Sequence, residues 1–210
     1  ITIDSLQINK ILLGDLEFSI KGNEKFNQFN VESALKQDGN ERFFLNGVVN
    51  FVGQQSALAL EAGFDKFDLA PFGPLLGSVL SDVRGNATGR ATIAGSLSEP
   101  EIDGRLYLND AGMRVPYLNV DYAFEKNAII DVTEHQFSFR KVEVSDTKYD
   151  TKGVLDGSIR HKKFGDWQLD LHLDSNNILA LDTEDNEDAY YFGTAFMKGK
   201  ASITGSVDAL

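Results

Sequence analysis

The chain has 210 residues, of which 42% are hydrophobic and 25% charged, the composition of an ordinary globular protein. It contains no cysteine, which excludes disulfide scaffolds, cysteine nucleophiles and thiolate metal sites. The formal net charge of -12 argues against binding to nucleic acid or to an anionic membrane surface.

Apolar and polar residues alternate with a period of two from Leu16 almost to the end of the chain. This pattern predicts half-buried β-strands, and the scarcity of proline suits it because proline cannot sit within a sheet ladder. Turn signals at residues 37–40, 125–127 and 174–177 help to divide the chain into about eleven to thirteen strands. A phase slip near Arg140 and Lys141 predicts a bulge or turn.

One segment has helical spacing instead. Apolar residues from Phe72 to Val83 lie on one face of a predicted α-helix over residues 73–83, with Pro74 in its first turn. Such a helix either covers one end or edge of the sheet or acts as a mobile plug or membrane-surface helix. Its lack of lysine counts against the second interpretation.

A glycine-containing strand motif recurs. Residues 89–97 and 199–207 match at alternate positions, and residues 47–53 and 152–159 are partial copies. The irregular spacing indicates a recurring strand type and not a solenoid repeat. Glycine on the apolar face of a strand gives tight curvature, room for a large neighbour, or space for a bound molecule.

The sequence offers little catalytic chemistry. His135 and His161 have no partner at metal-ligand spacing, while His172, between two aspartates, belongs either to a metal site or to a solvated strand face. The acidic residues 182–188 form either a weak calcium site or a solvated turn. No G-x-S-x-G, P-loop or dinucleotide motif occurs, so we predict a protein that is not an enzyme and has no cofactor or metal.

From residue 66 onward, the order of the motifs resembles a known family. The motifs are Leu69-Ala-Pro-Phe72, Gly89-Arg-Ala-Thr-Ile-Ala-Gly-Ser-Leu97, Val115-Pro-Tyr-Leu-Asn-Val-Asp-Tyr122, Gln136-Phe-Ser-Phe139, Gly153-Val-Leu-Asp-Gly-Ser-Ile159 and Tyr190-Tyr-Phe-Gly-Thr-Ala195. In this order they resemble the C-terminal region of the TamB family of translocation and assembly module subunits, in its Bacteroidetes form. Residues 1–65 match only in style, residues 66–84 are the helix segment, and residues 85–210 carry the closest resemblance.

The resemblance implies an all-β fold in which a long, curled, antiparallel-rich sheet forms an open trough, the β-taco of AsmA-like proteins. It implies that residues 1–210 are one section of a longer, inner-membrane-anchored bridge in the bacterial periplasm. Such a bridge supports phospholipid transport between the two membranes, together with outer-membrane protein assembly and protein secretion. Its partners would be phospholipid acyl chains, a TamA-like assembly barrel and nascent outer-membrane proteins.

The predicted lining of the lipid groove consists of the apolar residues at alternate positions along the strands. It comprises Leu106, Leu108, Leu118, Val120, Tyr122, Phe124, Phe137, Phe139, Trp167, Leu169, Leu171, Ala195, Ile203 and Val207. Two alternatives stay open, because alternation shows that a face is apolar and not whether it is sealed. One is an interaction module that binds unfolded outer-membrane proteins or the assembly barrel by β-augmentation, without carrying lipid. The other is a passive sandwich or adhesin section with a sealed core.

Overall fold

The computed structural model describes residues 1–8, 10–53, 55–76, 80–162, 165–185 and 192–206, which form one antiparallel sheet of thirteen strands and a short 3₁₀ helix (Ala70–Leu76). The strands are β1 (Thr2–Ile8), β2 (Ile11–Gly22), β3 (Gln28–Gln37), β4 (Asn40–Val52), β5 (Gln55–Asp68), β6 (Ser81–Gly95), β7 (Pro100–Val115), β8 (Val120–Phe124), β9 (Ala128–Thr133), β10 (Gln136–Asp146), β11 (Lys152–Lys162), β12 (Gly165–Thr183) and β13 (Gly193–Ser206). The predicted all-β fold and number of strands are confirmed.

The sheet is a simple meander with one interrupted position. Each strand pairs with its neighbour in sequence, except that β8 and β9 together occupy the place between β7 and β10. The turn at residues 125–127 separates these two short strands, as the turn signal there predicted. The thirteen strands therefore fill twelve rungs, and rungs spaced about 4.8 Å apart give a sheet roughly 55 Å long.

The pairing register keeps the apolar residues on one face of the sheet, the inner face. Val31 pairs with Gly47, and Gly47 pairs with Leu60. Leu60 in turn pairs with Ile93, and Ile93 pairs with Ile102. Directly paired residues of antiparallel strands point to the same side, so the predicted alternation becomes one continuous surface. The outer face carries ion pairs instead.

The main core lies in the C-terminal half of this inner face. Fifteen buried apolar residues from β6 to β12 pack together, whereas the N-terminal half has a small cluster centred on Val31, Val49 and Leu58. Among the described residues no second sheet covers this face. The sheet buries it by curling lengthwise on itself, which brings β12 into contact with β8.

The predicted α-helix over residues 73–83 is wrong in type and in bounds. The helix is 3₁₀, covers Ala70–Leu76, and begins where the Asp68 carboxylate accepts a hydrogen bond from the Ala70 N–H at 3.0 Å. Val83 lies in β6, because pairing with β7 satisfies that segment as a strand, and residues 77–79 lie outside the described part. The helix contacts β6 and β2, which are not neighbours in the sheet, and its role as a cover for one end or edge stays a prediction.

Two further local predictions had opposite outcomes. The bulge near Lys141 is confirmed, since the pairing of β10 with β11 shifts register between Phe139 and Val142. The turn predicted at residues 174–177 is wrong, because β12 runs through it with a change of register. The Ser175 hydroxyl donates a hydrogen bond to the Lys152 carbonyl and accepts one from the Asn177 N–H, so these polar residues form a bulge within the strand.

Candidate functional site

The inner face of the trough is the candidate functional site, and it contains the predicted lining residues that the structure describes. One group is buried in the main core: Leu108, Val120, Tyr122, Phe139, Leu169 and Leu171. A second group is half-buried and packs against that core: Leu106, Leu118, Phe124, Phe137 and Trp167. The structure thus brings these residues together in one cluster.

The predicted residues of the last strand are placed differently. Ala195 and Ile203 lie on the edge strand β13, where Ala195 is exposed and Ile203 is 42% exposed. Val207 lies outside the described residues. The inner face is therefore closed over β7 to β12 and becomes accessible at the last rung.

The N-terminal half of the inner face is less tightly packed. Phe18 and Phe29 are half-buried, and Ile20 is 54% exposed although it pairs with the buried Val31. Apolar surface in this half is therefore available to a ligand.

Glycines on the inner face mark close approaches between strands. Gly157 has a φ of +124°, and a Cβ atom placed on it would lie 2.1 Å from the carbonyl oxygen of Asp170 on β12. Gly47 has a φ of +146° and approaches the Ala59 carbonyl in the same way. These positions permit the backbone conformation that bends the strands, and they do not leave room for a bound molecule.

Aromatic rings line the inner face near one set of strand ends. The ring of Phe137 stacks with that of Trp167 at 6.3 Å between centroids, and His161 lies 5.1 Å from the same tryptophan. Burial, with a smaller contribution from His135, lowers the pKa of His161. In the N-terminal half, Phe29 and Phe51 form an edge-to-face pair at 5.6 Å. These aromatic contacts keep the inner face apolar up to this set of strand ends.

The last part of β12 folds over the main core as an arm. We define the arm as residues 178–183 of β12 with their partners, residues 193–197 of β13. Ile178 is 0% exposed and Leu179 is 2% exposed, so both side chains fill the interior of the trough. The alternation pattern did not reveal this placement, because these two residues are adjacent in sequence and both are buried.

Side chains and one backbone carbonyl from other elements hold the arm in place. The Tyr122 hydroxyl donates a hydrogen bond to the Leu179 carbonyl at 2.7 Å, and the Thr151 hydroxyl accepts one from the Leu179 N–H at 2.8 Å. Further along, the Asp182 N–H donates to the Leu118 carbonyl at 3.0 Å. The Asp182 carboxylate also binds the Lys148 ammonium at 2.5 Å, which raises the pKa of Lys148 and lowers that of Asp182.

Asp146 organises the turn beneath the arm. It is 1% exposed, and its carboxylate accepts hydrogen bonds from the N–H groups of Lys148, Tyr149 and Thr151 and from the Thr151 hydroxyl. Burial alone raises its pKa, but these hydrogen bonds outweigh burial and lower it. Burial and the nearby Asp146 charge raise the pKa of Tyr122 to about 12, so its hydroxyl stays a donor. Sequence reasoning missed Asp146, although it continues the inner parity of Val142 and Val144.

Two of the three histidines singled out from the sequence, His135 and His172, are exposed, whereas His161 is buried. The His172 ring contacts the Asp170 carboxylate at 3.3 Å and the Ser202 hydroxyl at 2.9 Å, on the outer face. In the part of the chain that the structure describes, no three His, Asp or Glu side chains are grouped to hold a metal ion. Part of the acidic segment 182–188 lies outside that part. No described helix is long and apolar enough to cross a membrane.

A single curled sheet with one apolar face along its length defines a trough-shaped all-β protein. No protein-family model, curated protein or solved structure matches this chain. A function for it therefore has to be argued from the chemistry of the inner face and from the order of its motifs.

Proposed function

We propose that the chain is a section of a TamB-like periplasmic bridge whose inner face shields phospholipid acyl chains on their way between the inner and outer membranes. One observation supports this proposal above the others: the register of the strands keeps a single apolar face through twelve rungs. In the same bridge, a TamA-like barrel and nascent outer-membrane proteins would be the partners at the outer membrane.

The energetics of lipid transfer explain why such a face is useful. Each CH₂ group of an acyl chain gains about 0.8 kcal/mol from apolar cover, or on the order of 12 kcal/mol for about sixteen carbons. A lining without discrete polar partners offers nearly equal cover at every position, so an acyl chain can slide along it. The half-buried Phe18 and Phe29 and the exposed Ile20 provide such cover in the N-terminal half.

The proposal predicts that a charge on the accessible inner face removes lipid binding. Ile20→Asp and Ile203→Asp change residues that are 54% and 42% exposed, so the fold should tolerate them. We expect each variant to retain its β-type circular dichroism and to bind at least about fivefold less lipid, because an acyl chain cannot pair with a carboxylate. Native mass spectrometry after incubation with phosphatidylethanolamine vesicles measures the bound lipid.

Ile129→Asp is the matched control. The exposed fraction of Ile129, 38%, is similar to the 42% of Ile203, but Ile129 lies on the outer face, where it pairs with Tyr107. We expect this variant to bind lipid like the unchanged protein. Equal loss of lipid in Ile129→Asp, or no lipid on the unchanged protein at any vesicle concentration, would contradict the conduit.

A second candidate function rests on the edge of the sheet. Within the described part of the chain, the fourteen residues of β13 pair only with β12, and Phe196 on this edge is 45% exposed. An edge of this length can add an extended segment of an unfolded outer-membrane protein by β-augmentation. A photocrosslinker at Ile203, which lies on the edge strand and faces the inner side as the partner of Leu171, distinguishes the two functions. Crosslinks to an outer-membrane protein segment favour this candidate, and crosslinks to lipid alone favour the conduit.

A further inference from the structure

The arm occupies the space that the proposed function assigns to an acyl chain. Ile178 and Leu179 lie in the same cluster as the lining residues Leu169 and Leu171, and they are more deeply buried than either. In the C-terminal half the chain therefore supplies its own apolar filling. Lipid can pass through this half only if the arm moves.

The place where the arm would bend is defined by the pairing of β12. Asn177 pairs with Lys152, the first residue of β11, so β12 has no β11 partner beyond that point. The register of β12 shifts on both sides near Ser175, against β11 and against β13. A strand that leaves one neighbour at a bulge can change direction there without disturbing the rungs before it.

The contacts that hold the arm are of a kind that water can replace. Beyond Asn177, no β11 backbone is left to pair with β12. The backbone of Leu179 forms hydrogen bonds with the side-chain hydroxyls of Tyr122 and Thr151 instead. The ion pair of Asp182 with Lys148 lies at the surface, and the lysine side chain is 54% exposed. The net contribution of each such hydrogen bond to stability is only about 0.5 to 1.5 kcal/mol, because water competes for both partners.

We infer that the arm is a gate, which swings about residues 175–177 and exposes the C-terminal half of the inner face to an acyl chain. The apolar cover lost when Ile178 and Leu179 leave the trough is replaced by the acyl chain that enters. Opening is therefore coupled to lipid, and without lipid the gate stays closed. This inference rests on the proposed function for the identity of the ligand.

Hydrogen–deuterium exchange of the whole chain tests the gate. Tyr122→Phe keeps the ring and removes the donor to Leu179, so exchange in residues 178–183 should quicken by about five- to tenfold. Residues 167–174 of the same strand should be unchanged. Tyr107→Phe, which removes a hydroxyl from a ring on the outer face, is the matched control and should alter neither segment. Unchanged exchange in residues 178–183, or an equal rise in residues 167–174, would overturn the gate.

A second measurement separates the gate from the proposed function. With phosphatidylethanolamine vesicles, exchange in residues 178–183 of the unchanged protein should rise as lipid binds, and Thr151→Val should reach the same rise at a lower lipid concentration. Lipid binding by native mass spectrometry without this rise would overturn the gate and leave the conduit in place. Absence of bound lipid would overturn both.

Discussion

Gly157→Ala is expected to lower the free energy of unfolding by more than about 4 kcal/mol, a large part of the roughly 5 to 15 kcal/mol that stabilises a typical domain. The added Cβ would lie 2.1 Å from the carbonyl oxygen of Asp170, in a strand held between two neighbours. Neither strand can retreat without breaking the register that buries Leu155 and Leu171. Urea unfolding, followed by the fluorescence of Trp167, the chain's single tryptophan, measures the loss.

Gly199→Ala shows how much of the stability lost in Gly157→Ala comes from the steric clash and how much from the backbone conformation. Gly199 has a φ of +120°, close to that of Gly157, but it lies on the edge strand and no atom would fall within 4 Å of its added Cβ. We expect this variant to lose only about 1 to 3 kcal/mol, the cost of placing alanine in that backbone region. Equal losses in the two variants would show that the close approach of β11 and β12 is not what demands glycine at position 157.

Removing the carboxylate of Asp146 is expected to cost about 3 kcal/mol. Asp146→Ala leaves the N–H groups of Lys148, Tyr149 and Thr151 without their acceptor and frees the Thr151 hydroxyl that binds the arm. Both the turn after β10 and the attachment of Leu179 should loosen. Urea unfolding gives the loss of stability, and hydrogen exchange shows whether it is concentrated in residues 147–151 and 178–183.

The contribution of Asp146 also depends on pH. Its pKa in the folded protein is lowered from the ordinary value of 3.8, so the unfolded chain binds the proton more readily. The stabilisation is complete above the unfolded pKa and is lost as the pH falls through the lower, folded pKa. Asp146→Asn cannot titrate, and we expect its stability deficit relative to the unchanged protein to shrink below about pH 4. A deficit that stays constant from neutral to acid pH would contradict this assignment.

The alternation of residues was enough to predict the sheet and its faces. In an antiparallel meander each residue faces the same way as its partner, so the parity of Leu106 or Leu171 in its own strand also determines its side of the whole sheet. The phase slip at Lys141 was visible for the same reason, since one extra residue inverts the parity.

The closure of the trough was not predictable in this way. Ser175 and Asn177 have the composition of a turn, but a hydrogen bond from Ser175 to the Lys152 carbonyl, far away in sequence, keeps the segment in a strand. Ile178 and Leu179 are buried through contacts across the curled sheet, and alternation describes only one strand at a time. The prediction of an α-helix over residues 73–83 was wrong for a similar reason, because pairing of β6 with β7 outweighed a local helical pattern.

The neighbour-to-neighbour pairing of the strands has a consequence for how such a molecule can change its length. Apart from the shared position of β8 and β9, each described strand pairs in the sheet only with the strands before and after it in sequence. Duplicating or deleting one hairpin would therefore lengthen or shorten the sheet by two rungs, or about 9.6 Å, and would leave the parity of all other strands intact. Evolution could fit such a chain to a given distance one hairpin at a time.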